Sequence, residues 1–161
     1  MTEQEQLINI IEREFPTTLK ALRAYPTAKS ELKPSTKSKS ARELAHTFVF
    51  GAKVADMTLD GALQLEKVPA LGATLDSIIA TYDSLHHTFV DRLKRTSDAD
   101  LNKTVKFFAG PKRMEDMRRA DVLWFLLMDT VHHRGQWSVY LRLADAKVPS
   151  IYGPTADEPW Q

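Results

Sequence analysis

The chain has 161 residues, a formal net charge of +1 and no cysteine. This length is typical of one domain, expected here over residues 1–161, and a chain of this size can bury about 70% of its unfolded surface without help from a disulfide or a metal. The lack of cysteine excludes disulfide scaffolds, thiolate metal sites and cysteine nucleophiles, and the balanced charge gives no electrostatic reason to expect a nucleic-acid partner.

The first helical pattern covers residues 2–24, where apolar residues recur at helical spacing at Leu7, Ile8, Ile11 and Phe15. Pro16 lies inside this pattern and predicts a kink or a break. The start of the segment is acidic and amphipathic, unlike a signal peptide. No stretch of the chain approaches the roughly 18 consecutive apolar residues of a membrane span. We therefore expect a cytoplasmic protein without a membrane partner.

Residues 25–40 are rich in Pro, Ser, Thr and Lys and predict a loop. The basic residues of this loop are Lys29, Lys33, Lys37 and Lys39. Because no aromatic residues alternate with them, they indicate a solvated loop and not a nucleic-acid-binding patch. Ser40 and Glu43 have the spacing of a capping box, which predicts the start of a second helix at Ser40.

Two more helices are predicted over residues 72–96 and 119–145, and the segment between them, residues 98–118, is predicted to be irregular. The tail contains the helix-breaking residues Pro149, Gly153, Pro154 and Pro159. Evidence for a strand is limited to residues 104–108. We therefore expect an all-α fold, an up-and-down four-helix bundle with a short irregular C-terminal tail.

One seam of the last helix is polar where a bundle core is expected. At steps of four and three it contains Val122, Leu126, Asp129, His133, Gln136, Tyr140 and Leu143. An unpaired buried carboxylate costs several kcal/mol, so Asp129 needs a partner. A metal ion is one such partner, because Asp129 and His133 are four residues apart and can reach the same ion from adjacent turns.

A third ligand has to come from another helix, because one helix face cannot surround an ion. His46 is the candidate, since its neighbours in the second helix are apolar: Leu44, Ala45, Phe48, Val49 and Phe50. Two histidines and one carboxylate leave positions open for water or substrate, as in a catalytic site. The spacing also leaves another arrangement open, in which Asp129 and His133 pair with each other and Gln136 satisfies a neighbour.

The other histidines are weaker candidates. His132 lies about 100° around the helix from His133, and we expect it to pack between helices or to bond to the tail. His86 and His87 lie near the charged end of the third helix. We expect both to be exposed or partly buried structural residues and not metal ligands.

Gln136 and Tyr140 are the predicted pocket residues that contact a cofactor or orient a ligand, because they continue the seam of His133. Arg134 points sideways from that seam and either lines the pocket or anchors the tail or a dimer contact. Tyr152 in the tail either closes over the pocket or packs to hold the tail in place.

The segment DTVHHRGQWSVYLRLADAKVPSIYGPTADEPW, together with His46, resembles the DinB/YfiT-like superfamily, the damage-inducible DinB proteins of bacilli. The similarity follows the helix order of the whole chain and is most specific over residues 129–154, where HHRGQ, YLR and Pro-x-x-Tyr-Gly-Pro occur in order. The resemblance implies a four-helix bundle, a homodimer, and a zinc or nickel ion bound by three histidines. His46 and His133 match two of these ligands, but the third position is Asp129. A carboxylate makes the site harder, so manganese and iron also stay open.

The resemblance also implies a metal-dependent enzyme that acts on a small molecule. One candidate is a transferase of a low-molecular-weight thiol, in which the metal favours the thiolate, and the other is a hydrolase, in which the metal lowers the pKa of its water. No glutamate stands out beside the ligands as a general base, which weakens the hydrolase hypothesis. The alternatives are a non-catalytic bundle that binds a metal or a small molecule, and a non-haem iron enzyme, which the same donor set describes.

Overall fold

The computed structural model describes residues 1–160 and is mainly helical. Gln161, the last residue of the predicted domain, lies outside the described residues. The elements in chain order are α1 (Glu3–Arg23), α2 (Ala41–Asp60), α3 (Leu75–Leu93), α4 (Asp98–Leu101), β1 (Thr104–Gly110), β2 (Arg113–Arg118) and α5 (Arg119–Leu143). None of the helices within residues 1–160 has the length and apolarity that crossing a membrane requires.

The four long helices enclose two groups of buried apolar side chains. α2 packs against α3 and α5, and α1 packs against the same two helices. One group of buried apolar side chains includes Phe48 and Trp137, and a second includes Leu7 and Leu123. The up-and-down order of the four helices stays a prediction.

The start of α2 forms as the capping pattern predicts. The backbone N–H of Glu43 donates to Ser40 Oγ at 3.2 Å, and the backbone N–H of Ser40 donates to Glu43 Oε2 at 2.6 Å. Of the kink or break predicted at Pro16, the break does not occur, because α1 runs through this residue. Phe15 and Leu19 on either side are buried, so packing of this face offsets the backbone hydrogen bond that proline cannot make.

The all-α prediction is wrong over residues 104–118, where β1 and β2 form an antiparallel hairpin with Thr104 opposite Arg118. Val105 and Phe107 are buried, whereas Thr104, Lys106 and Phe108, which alternate with them, are exposed. Phe107 packs against Phe125 of α5, with ring centroids 5.6 Å apart. The alternation that marks a half-buried strand is therefore present in the sequence but is only a few residues long.

Candidate functional site

The polar seam of α5 expected in the core is buried only in part. Its members Val122, Leu126 and Tyr140 are buried, whereas Gln136 and Leu143 are exposed. The other buried side chains of α5 include Leu123, Leu127, Arg134, Trp137 and Leu141. The Asp129 side chain is 37% exposed and that of His133 is 20% exposed. The premise that Asp129 is a buried carboxylate in need of compensation is therefore wrong, because it lies at the edge of the core.

His46, Asp129 and His133 nevertheless line one pocket of about 510 Å³. His46 comes from α2, and the other two residues come from α5. Thr47, Phe50 and Leu71 also line the pocket, and Lys39 and Glu43 add a charge of each sign. The structure thus brings the three predicted ligands to the same concave surface.

Within that pocket each histidine ring is held by an oxygen atom. His46 Nε2 lies 2.9 Å from the carbonyl oxygen of Pro69, and His133 Nδ1 lies 2.9 Å from Gln136 Oε1. Both oxygens only accept, so these ring nitrogens carry the hydrogen. His133 Nε2 lies 3.3 Å from Asp129 Oδ2, which is the pairing that the spacing left open.

The donor set fits a divalent cation in its chemistry. Metal-binding histidines commonly donate one ring N–H to a carbonyl or another oxygen, which leaves the second nitrogen free to coordinate. His46 and His133 both have such an oxygen partner, which leaves Nδ1 of His46 and Nε2 of His133 to coordinate a metal. Across residues 1–160, however, no three His, Asp or Glu side chains are close enough together to hold an ion as they stand.

Glu43 is an acidic pocket residue that the sequence analysis did not predict. Its carboxylate accepts from the Ser40 backbone and lies 3.5 Å from Lys33 Nζ. The backbone hydrogen bond from Ser40 lowers the pKa of Glu43, so the carboxyl group is ionised at neutral pH. In the sequence, the capping box already explained the presence of Glu43. Its i, i+3 spacing from His46, which places both side chains on one helix face, was the signal that could have indicated a role in the pocket.

A second pocket of about 420 Å³ adjoins the first, because Lys39 and His133 line both. The predicted pocket residues Gln136 and Tyr140 lie in this second pocket. The Tyr140 hydroxyl donates to the carbonyl oxygen of Lys39 at 2.7 Å, so Tyr140 ties the end of the basic loop to α5. Burial raises the pKa of Tyr140, which keeps this donor protonated.

Arg134 anchors the tail and lines neither pocket. Its side chain is 1% exposed, and Nη2 lies 2.6 Å from Glu14 Oε2 of α1. Nη1 donates to Thr18 Oγ1 at 3.1 Å, and the Tyr152 hydroxyl donates to Glu14 Oε2 at 2.6 Å. Burial alone would raise the pKa of Glu14, but the hydrogen bonds from Tyr152 and Arg134 lower it. Tyr152 therefore holds the tail and does not close the pocket.

The remaining histidines lie outside both pockets. His132 is exposed, contrary to the expectation that it packs between helices. His86 is buried and stacks on Phe15, and burial lowers the pKa of His86 to about 4. His87 is exposed and lies 3.2 Å from Asp83. His87 is therefore exposed as expected, whereas the expectation that His86 is exposed or partly buried is wrong, because its ring packs on Phe15 in the core.

The family model described as the DinB family matches residues 1–160. The chain belongs to the DinB family. It is 31% identical over 104 residues to the uncharacterized protein YrdA of Bacillus subtilis (strain 168), an alignment that covers 64% of this chain and 58% of YrdA. The chain therefore matches less than two thirds of the length of this curated relative.

Solved structures of DinB-like proteins have the same fold. A DinB-like protein from Bacillus cereus ATCC 10987 matches with a TM-score of 0.78 at 22% identity, over 92% of this chain and 97% of that one. The DinB-like protein YjoA from Bacillus subtilis matches with a TM-score of 0.73 at 15% identity, over 91% and 96% of the two chains. At these identities the likeness establishes the fold alone.

Proposed function

We propose that this DinB-family protein binds one divalent metal ion through His46, Asp129 and His133 and acts on a small molecule in the same pocket. The observation that carries the proposal is that these three side chains, from two helices, line one pocket of about 510 Å³. This volume lies in the range of about 300–1,000 Å³ that is usual for small-molecule sites.

The donor set suits zinc or nickel, and its carboxylate also accommodates manganese or iron. Three protein ligands leave coordination positions open. Metal binding would exchange the contact between Asp129 and His133 for coordination, while the Pro69 carbonyl and Gln136 continue to orient the two rings.

A bound metal would supply either a stabilised thiolate on a small-molecule thiol or a water molecule of lowered pKa. The first chemistry suits a thiol transferase, and the thiol would come from the substrate because the chain has no cysteine. The second suits a hydrolase, although Glu43 in the same pocket is a weak general base, because the hydrogen bond that lowers its pKa also weakens it as a proton acceptor. Phe50 and Leu71 offer apolar surface to the body of either substrate.

A non-catalytic binding bundle is the second candidate. It is favoured by the contact between His133 Nε2 and Asp129, which pairs the two groups without a metal when the His133 ring carries a hydrogen on both nitrogens. In that case the pocket binds a small molecule without turnover.

Elemental analysis of protein purified without a metal-affinity tag separates the two candidates. We expect about one metal per chain in the wild type after incubation with zinc, nickel or manganese, and loss of that metal in the double variant His46→Ala/His133→Ala. The matched control is His87→Ala/His132→Ala, which removes two exposed histidines outside the pocket and should keep the metal. Helical circular dichroism confirms that each variant is folded. A wild type that takes up no metal, or a site variant that retains it, would exclude the metal site.

We also propose a homodimer formed through α5, because this helix has an exposed apolar stripe. Phe125, Met128, Val139 and Leu143 are 54%, 57%, 56% and 46% exposed. Their spacing is close to symmetric about Arg134 of α5. At the next residue, a Cβ added to Gly135 would meet open space. Two copies of α5 crossing antiparallel would therefore place Phe125 against Leu143 and Met128 against Val139, with room for close approach at Gly135.

A further inference from the structure

We propose that Lys39 recognises an anionic group and that the two adjoining pockets bind a small organic carboxylate. The inference rests on the proposed function, because it names the charge of the small molecule that this pocket would accept. It requires neither a particular metal nor a particular reaction.

The first support is the balance of charges. The two acidic side chains of the first pocket, Glu43 and Asp129, have partners: Glu43 is 3.5 Å from Lys33, and Asp129 is 3.3 Å from His133. Within residues 1–160, the Nζ of Lys39 forms neither a hydrogen bond nor an ion pair. A positive charge without a partner at the edge of a concave surface attracts an anionic ligand.

The second support is the position of Lys39. It lines both pockets, whose volumes are about 510 Å³ and about 420 Å³. Its backbone is fixed, because the Tyr140 hydroxyl binds its carbonyl oxygen at 2.7 Å and the next residue, Ser40, caps α2. The ammonium group can therefore reach a ligand in either pocket, while apolar side chains such as Phe50 and Leu44 contact the body of that ligand.

The surroundings of Lys39 favour a monoanion over a phosphate. Backbone N–H groups at the start of a helix often bind phosphate, but those of α2 are already bonded: Ala41 to Leu32 O, Arg42 to Ser30 O, and Glu43 to Ser40 Oγ. Lys39 can neutralise one negative charge on a ligand. A second negative charge on that ligand would be repelled by the carboxylates of Glu43 and Asp129 in the first pocket. A carboxylate is the common organic group that meets this condition.

The test compares carboxylates with their neutral amides. Dissociation constants for three pairs, benzoate and benzamide, phenylacetate and phenylacetamide, and hexanoate and hexanamide, are measured by NMR titration at low salt with EDTA present. For at least one pair we expect the wild type to bind the carboxylate about 3- to 10-fold more tightly, and the preference to decrease at 0.5 M salt. Lys39→Gln should abolish the preference. Lys37→Gln, which removes an exposed lysine of the same loop outside both pockets, should retain it.

A wild type with no preference for any carboxylate, or a preference that persists in Lys39→Gln, would overturn the inference. Because the titration is done with EDTA, its result does not depend on whether the protein holds a metal. Failure of the metal site and failure of anion recognition are therefore seen in different experiments.

Discussion

Loss of the guanidinium group of Arg134 is expected to destabilise the protein far more than loss of a surface charge. Arg134→Met keeps most of the apolar stem but leaves the Glu14 carboxylate, whose residue is 7% exposed, with Tyr152 as its remaining hydrogen-bond donor. Removing one partner of a buried ion pair typically costs about 3–5 kcal/mol. For a domain of this size, that loss lowers Tm by roughly 6–20 °C.

Urea denaturation followed by circular dichroism at pH 7 measures the effect in a double-mutant cycle. Arg134→Met and Glu14→Met are each expected to be destabilising, and the double variant is expected to lose less than the sum because neither charge remains buried alone. Arg13→Met is the matched control, since Arg13 is 74% exposed and its Nε lies 3.8 Å from Glu14. It should change the free energy of unfolding by less than about 0.5 kcal/mol. Single-variant losses that simply add in the double variant would refute the coupling.

The same pair predicts a dependence on pH. The pKa of Glu14 is below its ordinary value of 4.5 in the folded protein. The stability that its ionised form contributes is therefore fully present above about pH 4.5, and is lost as the pH falls through the lower folded pKa. As the pH falls from 7 to 3, the free energy of unfolding should decrease more for the wild type than for the Glu14→Met/Arg134→Met variant. A difference that stays constant from pH 7 to pH 3 would contradict the assignment.

Two further predictions concern the site and the assembly. Asp129→His should increase zinc or nickel affinity on the order of tenfold in calorimetric titration, because a third imidazole replaces the carboxylate; unchanged affinity would argue against position 129 as a ligand. The variant Met128→Lys/Val139→Lys should convert a dimer to a monomer in light scattering, whereas Thr88→Lys, at an exposed position of α3, should not; a wild type that is monomeric at every concentration would exclude the α5 interface.

The sequence predicted the long helices well because their signals are local. The capping box of Ser40 and Glu43 locates the start of α2 to the residue, and the apolar spacing of α1 outweighs the effect of Pro16. The hairpin was missed because Val105 and Phe107 give only two inward positions. Such a short alternation becomes significant only once α5 supplies the surface that these side chains pack against.

The rotation of α5 could not be predicted from periodicity, for a physical reason. Residues 122–128 are all apolar and point in every direction around the helix. Several seams are therefore equally apolar at this end of the helix, and periodicity alone does not identify the seam through Asp129 as the buried one. Packing against α1 and α2 buries Leu123, Leu127 and Trp137 together with the apolar end of that seam, and leaves Asp129 and His133 at the edge of the core.

The candidate site was predictable in part. The four-residue spacing of Asp129 and His133 fixes those two side chains on one face whatever the rotation of the helix. Their proximity to His46 depends on how α2 packs against α5. This proximity was predicted from the apolar neighbours of His46 and from the family resemblance. The partner of Arg134 lies 120 residues away at Glu14, and no local pattern indicates so distant a pairing.

The buried ion pair and the candidate site are linked through the geometry of a single helix. His133 and Arg134 are consecutive, so their side chains leave α5 about 100° apart. Because Arg134 is bound to Glu14 and Thr18 of α1, the rotation of α5 about its axis is fixed at this turn. With that rotation fixed, His133 and, one turn earlier, Asp129 face the pocket shared with α2. The only fully buried charged side chain of α5 thus both stabilises the fold and orients the helix that carries two of the three candidate ligands.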